Sequence, residues 1–367
     1  MVTIGIVGAG LRGRLFAEAL QGQPDVTVVG LAEPSAKAAD DARGATGLPV
    51  TASHAELLEA FDPDAVIVAT PDFAHRQIAI EVADAGKHLL IEKPVATNLD
   101  DAHAIAAAVH RGGARCLVGF ENRWNPHVVQ AKAAMASGSL GEPITASATL
   151  SNSFFVPTTM LSWGAQSSPA WFLMPHTIDL VLWLTGRKPM SVSAAGSRGV
   201  LAKRGIDTWD VVHALLTFDD GSTATLSSAW TLPDAGDGIV DFRFQVIGTE
   251  GSVTADLSHQ GLAVVSDKYH SVWPVSGRIG RSQVGPAVWM VQDFAAGLVD
   301  GGDLGPGIDH GVLVTEIICA IEDSILTGRT VDLSVPSAQA TGRADEPASA
   351  PATNDNKKEM NDRGRAR

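Results

Sequence analysis

The stretch Val2-Thr3-Ile4-Gly5-Ile6-Val7-Gly8-Ala9-Gly10-Leu11-Arg12-Gly13 decides the fold of the first half of the chain. A short apolar run of β character leads into G-x-G-x-x-G, and the residues up to Leu20 then take helical apolar spacing. Strand, glycine turn and helix in that order open a dinucleotide-binding fold. The first glycine permits the tight turn, the second lets a pyrophosphate approach the backbone, and the third lets helix pack closely on strand. Free N–H groups at the positive helix end then face the phosphates. Gly8, Gly10, Leu11, Arg12 and Gly13 are accordingly candidate cofactor contacts; a glycine turn that only packs is the plainer reading.

Outward from this turn, apolar runs at Val26–Leu31, Ala65–Ala69, His88–Ile91 and Arg115–Val118, with a weak one near Val50, alternate with helical patterns at Leu11–Leu20, Phe73–Ala85 and Leu99–Arg111. Gly22, Gly86 and Gly112-Gly113 fall where those helices should stop. The expectation is an α/β domain over residues 1–122, a Rossmann doubly wound parallel sheet. From about residue 124 the pattern changes. A helix near Val128–Ser137 precedes alternating segments at Ile144–Phe155, Asp210–Phe218, Ser222–Trp230, Asp241–Val246 and Ser252–Ala255, with turn chemistry at Asp219-Asp220-Gly221 and Thr249-Glu250-Gly251. These predict a C-terminal α/β domain over 123–333 with a large open, mainly antiparallel sheet. Helices over His176–Leu184 and Gly311–Leu326 should cover one face, leaving the other for a second subunit. Residues 334–367, rich in Ala, Pro, Ser and charge, read as a disordered tail.

The chain's 367 residues correspond to about two domains. With 41 acidic against 27 basic side chains, the net charge of −14 leaves no broad basic surface for nucleic acid. Two cysteines make no disulfide framework, no apolar run reaches the ~18 residues of a membrane span, and the N-terminus lacks the basic region of a signal peptide. A cytoplasmic protein without membrane or nucleic-acid partners is expected. Neither H-E-x-x-H, C-x-x-C nor a serine elbow is present, so no metal is expected.

Glu33 ends the second strand 20 residues after Gly13, where a carboxylate accepts hydrogen bonds from ribose hydroxyls and repels a 2′-phosphate. NAD is therefore favoured, with Lys37 one turn on keeping NADP open. Two further loops leave carboxyl ends of strands, the ligand side of such sheets. In Ala69-Thr70-Pro71-Asp72-Phe73-Ala74-His75, Thr70 and Pro71 are placed to line the nicotinamide side, with His75 assigned to the same cofactor site. In Glu92-Lys93-Pro94, the second loop, Glu92 and Lys93 reach the same edge.

Taken together, GAGLRG at 8–13, ATPDFAH at 69–75 and AGKHLLIEKP at 85–94, followed by an antiparallel domain, closely resemble the Gfo/Idh/MocA family of sugar and cyclitol oxidoreductases. The resemblance spans about residues 1–332. It implies a nicotinamide cofactor in the cleft, dimers or tetramers built through the sheets, a substrate- and cofactor-contacting lysine at Lys93, and a cis bond before Pro94. The family's D-x-G-x-H-x-x-D falls on Phe172-Leu173-Met174-Pro175-His176-Thr177-Ile178-Asp179. His176 and Asp179 match, whereas Phe172 and Met174 replace the aspartate and the glycine.

Oxidising a secondary alcohol needs a base for the hydroxyl proton while hydride leaves the same carbon. A histidine near its ordinary pKa of ~6.5 is largely neutral at pH 7, which nominates His176 as base, with Lys93 stabilising the developing alkoxide. Asp179, one turn further, is expected to bind a sugar hydroxyl or orient the imidazole; Asp207 or Asp210 are candidates to supply the missing carboxylate. Asn152, Trp163, Gln166 and Trp171, with Ser167 and Trp230, suit a polyhydroxylated ring. Arg123 and Asn122, in Gly119-Phe120-Glu121-Asn122-Arg123-Trp124, fall at the domain junction, where the resemblance places the lining of the cleft; Arg123 is a candidate for cofactor, substrate or an interdomain ion pair. The leading expectation is an NAD-dependent dehydrogenase of a sugar, sugar derivative or inositol. A glycoside-cleaving enzyme using transient oxidation and a non-enzymatic dinucleotide-binding sensor are its rivals.

Overall fold

In the computed structural model, which describes residues 1–235, 238–258, 276–280 and 282–333, the N-terminal alternation becomes β1 (Val2–Val7), α1 (Leu11–Leu20), β2 (Val26–Ala32), α2 (Ala36–Thr46), β3 (Val50–Thr51), α3 (His54–Phe61), β4 (Ala65–Val68), α4 (His75–Asp84), β5 (His88–Ile91), α5 (Leu99–Gly112) and β6 (Cys116–Val118). The strands are all parallel in the order β3-β2-β1-β4-β5-β6. Chain progression reverses between β1 and β4, so the ligand crevice of this sheet lies at the carboxyl ends of those strands. All four residues of β4 are buried, as a strand covered on both faces requires. The expected helix from Phe73 starts two residues later, because Asp72–Ala74 form a separate 3₁₀ turn.

The second half comprises α6 (Pro126–Ala136), β7 (Pro143–Asn152), α7 (Pro169–Phe172), α8 (Met174–Thr185), β8 (Pro189–Ser197), β9 (Val211–Phe218), β10 (Thr223–Ala229), β11 (Val240–Gly248), β12 (Ser252–Asp256), β13 (Gly277–Ile279), β14 (Ser282–Val284), α9 (Pro286–Asp300), α10 (Ile308–Thr327) and β15 (Val331–Asp332). Its main sheet runs β12-β11-β7-β10-β9-β8-β15 and is antiparallel except for the β7–β10 pair. Both expected turns join neighbouring antiparallel strands. Strand β8 escapes sequence reading because Pro189, its alanines and Gly196 have low β propensity; its place is set by pairing with β9. Val212, Ala214, Leu216 and Phe218 of β9 are buried on the face covered by α8 and α10, while His213 and Leu215 are exposed on the other.

Helix α9, unassigned from the sequence, crosses back to the first sheet. Val288, Met290, Val291 and Phe294 share a core with Ile4, Ile6, Phe16, Leu20 and Leu117, and Gln292 Nε2 donates to Ala19 O at 3.0 Å. A cut at 122/123 therefore does not follow the packing of residues 286–300. Among the described residues no helix is long and apolar enough to cross a membrane. The segment 334–367, expected to be a disordered tail, lies outside the described residues.

Candidate active site

The three glycines of the first turn do three different things. Gly8 has φ +95°, and a Cβ there would lie 2.6 Å from Ala69 O. A Cβ on Gly13 would overlap the Gly8 carbonyl oxygen, whereas one on Gly10 would meet nothing within 4 Å. Helix α1 begins with no side-chain cap and no acid in its first turn, so its leading N–H groups are available to an anion. Leu11 stands exposed at this mouth. Glu33 Oε2 accepts from Ala9 N–H and Oε1 from Ser35 N–H, both at 3.0 Å, which leaves lone pairs for ribose hydroxyls. Lys37 pairs with Asp41 at 2.7 Å. Beyond Pro71's turn, Thr70 Oγ1 is buried without a hydrogen-bond partner among the described residues. An open glycine, an uncapped helix start and an orphaned hydroxyl fit a dinucleotide.

Lys93 follows β5, and the bond to Pro94 is cis, as expected. Its Nζ donates to Phe172 O at 3.0 Å and lies 4.7 Å from the centre of the Phe172 ring. That ring contacts Trp163 at 5.9 Å and Trp230 at 5.7 Å, and Trp163 reaches Phe73 at 6.3 Å. An aromatic wall thus occupies the position where the resembling motif has a carboxylate. Burial lowers the Lys93 pKa, opposed by Glu92, Glu121 and Asp72. Asp72, which sequence reading did not single out, is buried; its Oδ2 accepts from Ser167 Oγ at 3.4 Å, and burial raises its pKa.

Four consecutive side chains after β6 tie the surrounding elements together. Glu121 pairs with Arg12 at 2.7 Å, and Arg12 also reaches Glu92 at 3.2 Å. Asn122 Nδ2 lies 3.1 Å from His176 Nδ1, Arg123 Nη2 lies 2.6 Å from Asp179 Oδ1, and Trp124 Nε1 donates to Asp293 at 2.6 Å. The glycine turn, α8 and α9 are thereby tied to one 3₁₀ turn, Glu121–Trp124. His176 is held well below the ordinary histidine pKa by burial first, then by Lys93 and Arg12, so its ring is neutral at neutral pH. Lys93 and His176, 83 residues apart in sequence, are thus brought into one electrostatic neighbourhood.

Several expected contacts have other occupations. Asp179 is 1% exposed and accepts from both Arg123 and His310, the latter at 2.7 Å; Arg123 is thus held in a buried ion pair, but one within 123–333 rather than the interdomain pair expected. Trp171 lies in the core, hydrogen-bonded to Glu322. The His75 ring nitrogens face Thr70 O at 3.1 Å and Pro94 O at 2.9 Å; it braces two cofactor-side loops rather than presenting a nitrogen to ligand. Asp210 accepts the N–H groups of Val200 and Leu201, and Asp207 is exposed, so neither supplies the missing carboxylate. Asn152 is buried, with Nδ2 on Ile239 O at 3.3 Å and Oδ1 without a hydrogen-bond partner among the described residues; Gln166 is exposed.

Residues 2–120 match the model of the oxidoreductase family with an NAD-binding Rossmann fold, and residues 128–254 that of the GFO/IDH/MocA C-terminal domain. Myo-inositol dehydrogenase Hyg17 of Streptomyces leeuwenhoekii is 30% identical over 289 residues, 77% of this chain and 86% of that protein. The chain belongs to the Gfo/Idh/MocA family. Inositol 2-dehydrogenase of Rhizobium meliloti (strain 1021) is 25% identical over 339 residues, 91% of this chain and 99% of the relative. The structure of GenD2 from gentamicin A biosynthesis in complex with NAD superimposes with a TM-score of 0.78 at 26% identity, covering 90% of this chain and 96% of that one. Within this Gfo/Idh/MocA chain the glycine turn lies inside the segment matched to the NAD-binding Rossmann fold, with a positive φ at Gly8, a close packing contact at Gly13 and open space at Gly10.

Proposed function

We propose that the protein is an NAD-dependent dehydrogenase that oxidises a secondary alcohol of a sugar, sugar derivative or inositol, with Lys93 and His176 as its catalytic residues. The observation that carries this reading is the meeting of Lys93 with the Phe172–His176 segment beside the NAD-binding turn. Gly8, Gly10, Leu11, Arg12 and Gly13 would hold the pyrophosphate side, Glu33 the adenosine ribose, and Thr70 and Pro71 the nicotinamide side. Glu33, with Lys37 engaged by Asp41, supports NAD over NADP. Bound NAD supplies the acceptor for hydride from the alcohol carbon.

The proton needs a separate destination. A second cation on His176 would sit beside Lys93 and Arg12 without a carboxylate partner, which is costly in a buried site. A cation on Lys93 Nζ instead meets the Phe172 carbonyl, the Phe172 π face and the fields of Glu92, Glu121 and Asp72. Lys93 is therefore assigned the proton from the hydroxyl, reversing the roles expected from the sequence, and neutral His176 holds the substrate oxygen. Trp163 and the Phe172 ring offer an apolar wall to the C–H face of a ring substrate.

The reading extends to the assembly and the compartment. The open face of the main sheet, with Ser147, Thr149, His213, Leu215 and Thr225 along a shallow groove, is assigned to a second copy in a homodimer or homotetramer. Two free, partly buried thiols, Cys116 and Cys319, suit a reducing cytoplasm. Incubation of the purified protein with NAD and a panel of sugars and inositols, following absorbance of the reduced cofactor, tests the activity. Net reduction with at least one polyol is expected; none across the panel, with NAD bound, refutes it.

A further inference from the structure

From one short turn Glu121 reaches Arg12 on α1, while Asn122 and Arg123 both reach α8, at His176 and Asp179, and of the three only Asn122 pairs with the imidazole. Asn122 Nδ2 lies 3.1 Å from His176 Nδ1. An amide N–H donates and does not accept, so Nδ1 is the acceptor and the single proton of a neutral ring resides on Nε2. The residues on either side of Asn122 are themselves anchored, Glu121 by Arg12 and Arg123 by Asp179.

The acids around the ring are engaged elsewhere. Asp179, on the same helix, is taken by Arg123 and His310, and Glu121 by Arg12. The charged groups that act on the ring are two cations, Lys93 after β5 and Arg12 on α1. The partner that orients the imidazole is thus an uncharged amide.

We infer that Asn122 is a positioning residue that holds His176 in the Nε2-protonated neutral tautomer, so that the imidazole meets the substrate oxygen as a hydrogen-bond donor. The inference rests on the alcohol oxidation proposed above for its consequence in catalysis, although the tautomer itself is independent of it. A carboxylate in the place of the amide would do the opposite: it would accept from Nδ1–H, and so either leave Nε2 with the lone pair of a neutral ring or favour the imidazolium.

The test is ¹⁵N NMR of protein labelled at histidine, with His176→Gln used to assign the signal. Wild type is expected to show a neutral ring protonated at Nε2 at pH 7. Asn122→Asp is expected to move the proton to Nδ1 or to charge the ring. It should also lower kcat at least about tenfold while the polyol KM and the NAD Kd change by less than about threefold. A wild-type ring protonated at Nδ1 overturns the inference, as does an Asn122→Asp protein with an unaltered ring; should that variant not fold, the wild-type tautomer decides alone. If the tautomer is as expected but no polyol is oxidised, the proposed reaction fails and the role of Asn122 toward the ring stands.

Discussion

Removing the Asp179 carboxylate separates a structural ion pair from a substrate contact. Asp179 is 1% exposed and Arg123 is 15% exposed at its side chain, with Nη2 2.6 Å and Nε 3.0 Å from Oδ1, and His310 adds a third donor at 2.7 Å. Asp179→Ala strands a buried guanidinium, and breaking a buried pair from one side costs about 3–5 kcal/mol. Arg123→Ala should fall at the low end of about 3–5 kcal/mol, because His310 still donates to the carboxylate it leaves. The double variant should then cost less than the sum of the singles by about 1–3 kcal/mol, the signature of shared partners. Urea unfolding of the four proteins measures this cycle, and polyol KM, taken at a temperature where all are folded, should change by less than about threefold. An Asp179→Ala protein within about 1 kcal/mol of wild type but with KM raised about tenfold or more would place the carboxylate on substrate and refute the reasoning.

Three further outcomes are expected. Glu33→Ala should raise the NAD Kd about tenfold and narrow the preference over NADP, since each hydrogen bond to a charged group contributes about 1.5–3 kcal/mol; an unaltered ratio in calorimetric titrations would remove Glu33 from the cofactor site. Oxidation should rise with pH through a pKa below that of an ordinary lysine, because the proton acceptor is Lys93 in its neutral form and burial lowers its pKa. Lys93→Arg should abolish that rise, and a persistent one assigns it to another group. Buried His75 and His176 resist protonation while unfolded histidines protonate near ~6.5, so the unfolded chain binds more protons below that pH and unfolding free energy should fall from about pH 7 to about pH 5. Denaturant curves showing constant stability over that interval would contradict the assignment of neutral rings.

What could be read from the sequence is what neighbours within a few residues determine. The glycine turn is legible because the backbone itself demands two of its glycines, by positive φ at Gly8 and overlap with a carbonyl at Gly13, while Gly10 stands in open space at the helix start. Lys93 is legible because an apolar strand followed at once by a charged turn marks the ligand edge of a parallel sheet. Occupation is another matter. Asp179 has the same chemistry whether it faces a sugar or Arg123, and the partner that decides it lies 56 residues away. Trp171 as a sequence letter does not distinguish a platform from a core residue; Glu322 on α10 settles it. Helix α9 packs on α1 from the far end of the chain, and although Ala287, Val288, Val291, Phe294 and Ala295 are buried at helical spacing, that spacing alone does not say which sheet the face will cover.

Phe172 shows how far such a local departure reaches. An aspartate there would give Lys93 a counter-charge and His176 an anionic neighbour at once. The phenyl ring keeps only part of the first service, through its π face and the backbone carbonyl, and none of the second. The imidazole then lies between two cations with an amide on Nδ1, whereas the lysine retains the fields of Glu92, Glu121 and Asp72. Positive charge generated during alcohol oxidation is better accommodated at Nζ than on the ring. In the proposed reaction this departure from the motif therefore favours Lys93 over His176 as the group that takes up the proton, and it leaves Asn122 of the turn Glu121–Trp124, rather than the altered helix start, to orient the imidazole.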